Sequence, residues 1–399
     1  MPVVTPNSAP GGSYDNMQVV TKVSVEGQTF SDITIKEVIL GESLLTPGLQ
    51  TAVTIQSFVY SDQPKQWGSY KNKPLTIAMN QAATSYSMQV VQQLYRIDNR
   101  EMDINVGQTE TLTLHACDQS LLNDAKSLIS KSWKCTMPSE VVGYALSSCA
   151  GVRNAIVDNA GPARDYIAEN IHPFQVVAQQ ANVALYNGDD PSFLHYMTYE
   201  NLGTHYFRAL ARLESGPTVA SFVSAEGGTS DLTRGVAAIS FSFPCDFDYL
   251  SDLLNGLEGG NTLSTINPMT QDGSLFGGST GGCGIGKGNH KTSMTNSGTS
   301  GQQNSCDMGV EQYLLLRQAR MGLLEKDKIA FRITVPWDPN LHVGQIIGFT
   351  WLNKPNRNGS NSASPLYGSG DYLIVALKHN IQFGGYATTT LDCITGTIG

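Results

Sequence analysis

Six segments of the first 117 residues have the pattern of strands, and in the last of them apolar and polar residues alternate with a period of two. Such alternation predicts strands that are buried on one face. It is clearest at 109–117, where Leu112, Leu114 and Ala116 share one face. We therefore predict a β-domain over residues 17–117, preceded by a flexible polar arm at 1–16. The predicted strands span residues 18–25, 33–40, 50–60, 75–79, 88–95 and 109–117.

The hydrophobic period then changes to that of a helix. Ser120 can cap a first helix, whose apolar positions are Leu121, Leu122, Ala125, Leu128 and Ile129. Pro138 begins a second helix that ends at Gly151, with Val141, Val142, Ala145, Leu146 and Cys149 facing inward. Pro173 begins a third helix, and a hairpin follows with strands at 193–199 and 204–210. These elements predict an α+β domain over residues 118–213.

The strand period returns in the last part of the chain. Ile239, Phe241 and Phe243 alternate before a short predicted helix at 246–257, and a second helix is predicted at 310–325. Ile329, Phe331, Ile333 and Val335 then mark a strand, and a hairpin pairs 370–379 with 386–393. We predict a second β-domain from residues 214–258 and 308–399, interrupted at 259–307. That interruption is rich in Gly, Ser, Thr and Asn, and we expect an exposed insertion loop.

The fold class predicted from this order is α+β and mostly β. The terminal hairpin is typical of a small antiparallel barrel, which indicates an architectural protein. Charged residues make up only 15% of the 399 residues and glycine occupies 40 positions, a composition that suits β-structure buried against other subunits. The net charge of −9, without a cluster of Lys and Arg, argues against nucleic-acid binding. Neither a signal peptide nor an apolar run long enough to span a bilayer is present.

One glycine-rich segment is close to a phosphate-binding loop. Residues 281–288 match that pattern up to Lys287, but Gly288 stands where a Ser or Thr is required. Neither an apolar strand before it nor a periodic helix after it is predicted, so we interpret the segment as part of the insertion. Cys283, His290 and Cys306 are too scattered to predict a metal site.

The remaining chemistry-bearing residues have ordinary structural explanations. His172 precedes a helix, whereas His195, His205 and His379 lie on predicted strands, where satisfied imidazoles are common. Asp246 and Asp248 are explained by the dipole of the predicted helix. Cys117, Cys149 and Cys393 lie in apolar patterns and are expected to be reduced core residues, and no CxxC pair exists among the seven cysteines. We therefore expect no catalytic residue, cofactor or metal.

Four phrases, in this order, resemble the central baseplate hub of contractile-tailed bacteriophages, a family related to the hub part of type VI secretion spike proteins. They are TLTLHAC (111–117) followed by SLLND (120–124), SKSW (130–133) followed by PSEVV (138–142), HPFQVVA (172–178) followed by the strands at 193–199 and 206–208, and VGQII (343–347) with DYLIV (371–375). Together they cover most of the chain outside the arm and the glycine-rich stretch.

The resemblance implies two small antiparallel β-barrel tube domains with an α+β insertion domain between them. It implies a structural virion protein that forms a homotrimer. With two barrels from each chain, the trimer has six barrels, which match a hexameric tail tube above and a trimeric central spike below. The implied partners are tail tube proteins or the ring proteins on the tail-terminator side, the spike protein and the baseplate wedge proteins. DNA would pass through the channel without specific binding, and no membrane is involved. Related fused proteins carry an oligosaccharide-binding barrel and a β-helix that this sequence lacks, so the spike is expected to be a separate chain.

Two other classes of function stay open at this point. A carbohydrate- or receptor-binding β-protein of the virion would use exposed aromatic residues, for which Trp351, Tyr367 and Tyr372 are the candidates. Binding of the isolated chain to glycans would favour that alternative, whereas assembly with tube and spike proteins would favour the hub. An enzyme is the third alternative, and nucleotide or cell-wall hydrolysis would reveal it.

Overall fold

A computed structural model of the chain describes residues 18–29, 33–58, 67–81, 86–103, 109–224, 236–244, 260–266, 273–279, 292–296, 331–351 and 367–395. Three predicted elements lie outside these ranges: the arm at 1–16 and the helices at 246–257 and 310–325.

Strands dominate the first part of the chain, as the alternating pattern predicts. They are β1 (Val19–Val25), β2 (Gln28–Thr29), β3 (Ile33–Ser43), β4 (Gln50–Phe58), β5 (Pro74–Gln81), β6 (Tyr86–Asp103) and β7 (Thr109–Cys117). The six predicted strands are confirmed, and β7 has the predicted bounds. β6 is much longer than the prediction, because its first half pairs with β5 and its second half pairs with β7.

The middle part alternates helices and strands. Its elements are α1 (Gln119–Lys126), β8 (Ile129–Thr136), α2 (Pro138–Tyr144), β9 (Ala155–Val157), β10 (Arg164–Ile171), α3 (Pro173–Ala181), β11 (Phe193–Thr198), β12 (Thr204–Ala209) and α4 (Leu210–Glu214). The helices predicted at Pro138 and Pro173 are confirmed, and so is the β11–β12 hairpin. A π-helical turn at Ala145–Cys149 extends α2 towards Gly151, where φ is +65°.

The first predicted helix needs two corrections. Asp118 caps α1, since its Oδ1 accepts a hydrogen bond from the Ser120 amide at 2.7 Å. The helix also ends at Lys126, because Ser127 has an extended backbone. Ile129, predicted on the apolar face of this helix, is instead the first residue of β8 and pairs with Ile171 of β10. A tertiary strand partner has overridden the local helical spacing.

The last part is again built from strands. They are β13 (Thr218–Ser224), β14 (Val236–Ala238), β15 (Ser240–Ser242), β16 (Gly260–Ile266), β17 (Gly273–Ser279), β18 (Thr292–Asn296), β19 (Phe331–Pro336), β20 (Ile346–Thr350), β21 (Gly370–Gln382) and β22 (Ala387–Ile394). The predicted terminal hairpin is confirmed as β21 and β22. Within the stretch at 259–307, β16 pairs with both β17 and β18 in a separate three-stranded sheet, which the composition of the stretch did not indicate.

One continuous sheet runs through the first and last parts of the chain. Its strand order is β14-β13-β20-β21-β3-β4-β7-β6-β5-β1-β2, and β22, β19 and β15 branch from β21. β21 connects the two parts, since residues 376–382 pair with residues 37–43 of β3. The Val19 amide donates to the Gly385 carbonyl at 2.8 Å and brings β1 back to the β21–β22 turn. The pairings between described strands do not close a barrel, so the fold is mostly β with an α+β middle part.

The residues that the structure describes form three hydrophobic cores. The first packs inside β1 and β3–β7, and it also takes Tyr199 from the middle part and Trp337 from the last part. The second joins α2 and α3 to β8, β11 and β12 in the middle part. The third is enclosed by β19–β22 and receives Leu44 and Tyr196 from the other two parts. The cores therefore share side chains across the boundaries expected between domains.

Candidate functional site

The three parts of the chain meet at one buried carboxylate, that of Glu42 at the end of β3. Its Oε1 accepts hydrogen bonds from the Tyr199 amide at 2.7 Å and from Nδ1–H of His342 at 2.9 Å. Its Oε2 accepts from the Val343 amide at 3.0 Å. The Glu42 side chain is completely buried. A single side chain of the first β-part thus holds the middle part and the last part in place.

Neighbouring groups support this junction. The Tyr199 hydroxyl donates to the Gln50 carbonyl at 2.7 Å and lies 3.0 Å from Thr51 Oγ1, so Tyr199 contacts the first β-part at both ends. Gly344, which follows the donor Val343, has a φ of +82°. A Cβ at that position would lie 3.0 Å from the Tyr196 hydroxyl, so glycine permits this close approach.

The electrostatics of the junction favour a charged pair. Burial acts to lower the pKa of His342, but the hydrogen bond and charge of Glu42, together with Glu200 and Asp338, raise it above its ordinary value. His379 lies nearby on β21, with Nδ1 2.9 Å from Thr389 Oγ1. Burial and then the charge of His342 lower the pKa of His379 to about 3. His342 is therefore more readily protonated than an ordinary histidine, whereas His379 is neutral near neutral pH.

A second buried polar cluster lies in the middle part and ends on Asp118. The Ser120 hydroxyl donates to Asp118 Oδ1. His205 Nε2 lies 2.9 Å from Ser120 Oγ, and His195 Nε2 lies 3.1 Å from His205 Nδ1. Because the Ser120 hydroxyl donates to Asp118, Ser120 Oγ accepts from Nε2–H of His205. His205 Nδ1 then accepts from Nε2–H of His195, so all three hydrogen bonds point towards Asp118. Phe174 packs against both imidazole rings.

This cluster contains the residue types of a hydrolytic triad in a different arrangement. In a triad the histidine accepts the serine proton and the carboxylate orients the histidine. Here the carboxylate accepts from Ser120, and the far nitrogen of His205 faces a second histidine. Burial lowers the pKa of His205 to about 4, against the charge of Asp118, and burial with neighbouring His205 holds the pKa of His195 well below its ordinary value. The geometry favours a structural role for the cluster.

These shifts predict that acid destabilises the protein. Three histidines have depressed pKa values in the folded state: His195, His205 and His379. Their contribution to the free energy of unfolding is present above the unfolded pKa of about 6.5. It is lost as the pH falls towards the folded pKa, about 4 for His205 and about 3 for His379. The raised pKa of His342 acts oppositely, since its contribution is complete below about pH 6.5 and is lost as the pH rises through the folded pKa. We expect the free energy of unfolding in urea to fall between pH 7 and pH 4.5. His205→Gln should reduce this slope, and an unchanged slope in that variant would contradict the assignment.

The structure separates the three aromatic residues proposed for carbohydrate binding. Tyr372 is buried, and its hydroxyl donates to the Gly368 carbonyl at 2.7 Å. Trp351 packs against Phe241 and Phe243 beside the third core. Of the three, only Tyr367 is exposed, so they do not form a shared binding surface.

The other residues considered from sequence have mixed outcomes. His172 Nδ1 lies 2.9 Å from the Asp124 carbonyl. This contact gives His172 a structural role at the beginning of α3. Cys117, Cys149 and Cys393 are free thiols, as expected, whereas Cys135 is disulfide-bonded, which its sequence context did not indicate. The phosphate-loop-like segment at 281–288 lies outside the described residues, and so do Asp246, Asp248, Cys283, His290 and Cys306.

The residues that the structure describes contain no group of three or more His, Cys, Asp or Glu side chains that could hold a metal ion. No helix within the same residues is long and apolar enough to cross a membrane.

The fold is similar to that of two solved tail proteins. One is the tail protein from Neisseria meningitidis MC58, with a TM-score of 0.59, 11% identity, and coverage of 96% of this chain and 98% of that one. The other is the 43 kDa tail protein of prophage MuSo2 from Shewanella oneidensis, with a TM-score of 0.60, 9% identity, and coverage of 94% and 98%. No family model matches the sequence, and no curated protein matches it. At these identities the likeness is one of fold, and it agrees with the tail-protein resemblance in the sequence.

Proposed function

We propose that this chain is a structural protein of a virion tail, a trimeric baseplate hub that adapts a hexameric tail tube to a trimeric central spike and lines the DNA channel. The observation that carries the proposal is the full-length likeness in fold to two tail proteins, each covered over 98% of its length. A fold shared from end to end supports a shared architectural role more strongly than a single shared domain does.

The two β-parts of the chain support the adapter geometry. One part surrounds the first core and the other surrounds the third core, and β21 pairs with β3 between them. If each part serves as a tube domain, a trimer presents six such domains to a hexameric tube. The same trimer presents its three chains to a trimeric spike. Each β-part is then a β-barrel tube domain that is completed in the assembly.

The Glu42 junction suits a protein that transmits force between two rings. Its three hydrogen bonds join parts of the chain that would otherwise move separately, and all three are buried. The low content of charged residues and the net charge of −9 also suit a channel that does not hold DNA.

The proposed partners follow from this position in the tail. They are other copies of the chain, tail tube proteins or the ring proteins on the tail-terminator side, the central spike protein and the baseplate wedge proteins. The proposed location is the tail baseplate of the virion, with the host cytoplasm as the site of assembly.

Mass measurement by light scattering tests the assembly. We expect three times the mass of the chain, alone or after co-expression with the spike, because a threefold ring covers exposed strand edges with one repeated contact. Each interface should be of the obligate class, roughly 2,000 Å² or more. A stable monomer that binds neither spike nor tube proteins would contradict the proposal.

A further inference from the structure

The turn between β11 and β12 presents an exposed leucine on a strained backbone. Asn201, Leu202 and Gly203 have consecutive φ values of +51°, +66° and +111°. Left-handed backbone is costly for a branched apolar residue such as leucine, whereas glycine and asparagine tolerate it. The Leu202 side chain is nevertheless 57% exposed and gains little from burial in its own chain.

The surrounding hydrogen bonds hold this turn rigidly. Glu200 is the centre of these contacts, since its carbonyl accepts from the Gly203 amide at 3.0 Å and from the Thr204 hydroxyl at 2.9 Å. Its carboxylate accepts from the Tyr206 hydroxyl, and Asn154 Nδ2 donates to the Asn201 carbonyl at 3.1 Å. We call the exposed Leu202 side chain on this rigid turn the Leu202 knob. Strained backbone that its surroundings hold in place clusters at functional sites.

The chain also carries an apolar patch with no cover from the described residues. Val20, Phe383 and Tyr386 are exposed, and Phe383 is 66% exposed. Val20 follows Val19, and Phe383 and Tyr386 lie on either side of Gly385. The Val19 amide donates to the Gly385 carbonyl at 2.8 Å, so the three exposed residues are neighbours. The Lys36 ammonium lies 5.0 Å from the centre of the Phe383 ring. We call these three residues the Phe383 patch.

One chain cannot bring its own knob to its own patch. A Cβ on Gly203 would lie 3.5 Å from Asp118, the residue after Cys117, and Cys117 pairs with Gln93 of β6. The patch lies beside Val19, which pairs with Gln81, and Gln81 in turn pairs with Tyr86 at the beginning of β6. The seven residue-to-residue steps along β6 from Tyr86 to Gln93 correspond to roughly 23 Å.

We propose that the Leu202 knob of one copy packs on the Phe383 patch of the next copy. The contact is apolar at its centre, and the carboxylate of Glu200 beside the knob complements the ammonium of Lys36 on the patch. Different surfaces of the two copies meet, so the contact is head-to-tail and generates a ring when it closes. This inference rests on the proposed function, because it names the contact that builds the trimer.

Leu202→Asn separates this role from a structural one. Asparagine tolerates the left-handed backbone, so the single chain should become more stable, as measured by thermal unfolding at concentrations where it is monomeric. Association measured by analytical ultracentrifugation should become at least about tenfold weaker, because the apolar anchor is lost. Asn201→Gly is the matched control, since it relieves the neighbouring residue and leaves the knob intact, so association should not change.

The patch is tested in the same assay. Phe383→Ser should weaken association as Leu202→Asn does, and the double variant should be no weaker than either single variant if the two side chains contact each other. If the unaltered chain forms trimers and either single variant associates equally tightly, or if the two losses simply add, this inference is wrong and the hub proposal stands. If the unaltered chain does not associate under any condition, both are wrong.

Discussion

Replacing Glu42 with alanine is expected to lower the free energy of unfolding by about 3–5 kcal/mol, the usual cost of breaking a buried ion pair from one side. The variant leaves the amides of Tyr199 and Val343 and the His342 imidazole buried without their acceptor. Urea denaturation followed by circular dichroism measures the loss. Since the three parts of the chain meet at this carboxylate, the transition should also become less cooperative.

Two variants define the specificity of this effect. Glu42→Gln retains the size of the side chain but turns an NH₂ group towards a donor, so an intermediate loss is expected. Glu37→Ala removes a carboxylate from a partly exposed position on the same strand and should change stability by about 0.5 kcal/mol or less. A loss of less than about 1 kcal/mol for Glu42→Ala would mean that water replaces the carboxylate and that the junction does not depend on it.

Local patterns predicted most of the strands and helices of this fold. The bounds of β7 followed from strict alternation, and Pro173 marked the beginning of α3, because both signals depend only on neighbouring residues. The same reasoning failed at Ile129, where the apolar spacing of α1 continues but β10 provides a strand partner. It also gave no indication of the three strands within 259–307, which pair with one another.

The candidate site could not be predicted from periodicity. Glu42 and His342 are 300 positions apart in the sequence, and no local spacing indicates that they meet. His205 was correctly placed on a strand, but its contact with Ser120 depends on how α1 packs against β12. The sequence offered one signal, since Glu42 lies between the apolar pairs at 39–40 and 44–45, and a glutamate that is buried in such a place needs a partner.

The strand β21 offers the second large effect. Tyr372, Leu373, Ile374 and Val375 are all buried, as expected for a strand with apolar residues on both faces. The pairing of β21 with β22 shifts register between Ile374 and Ala376, and the Val375 carbonyl accepts instead from the Leu44 amide at 2.9 Å. Val375 therefore lies where the two β-parts of the chain are joined.

Val375→Asp should abolish soluble expression. The new carboxylate would be buried in the third core, and an unpaired charge in such a place costs several kcal/mol, a large fraction of the stability of a typical domain. Lys378→Asp is the matched control, because it places the same side chain at an exposed position of the same strand and should leave the protein soluble. Comparing the soluble fractions of the two variants after expression gives the result. A soluble, cooperatively unfolding Val375→Asp protein would mean that water reaches this strand and that β21 does not form the closed connection between the two β-parts.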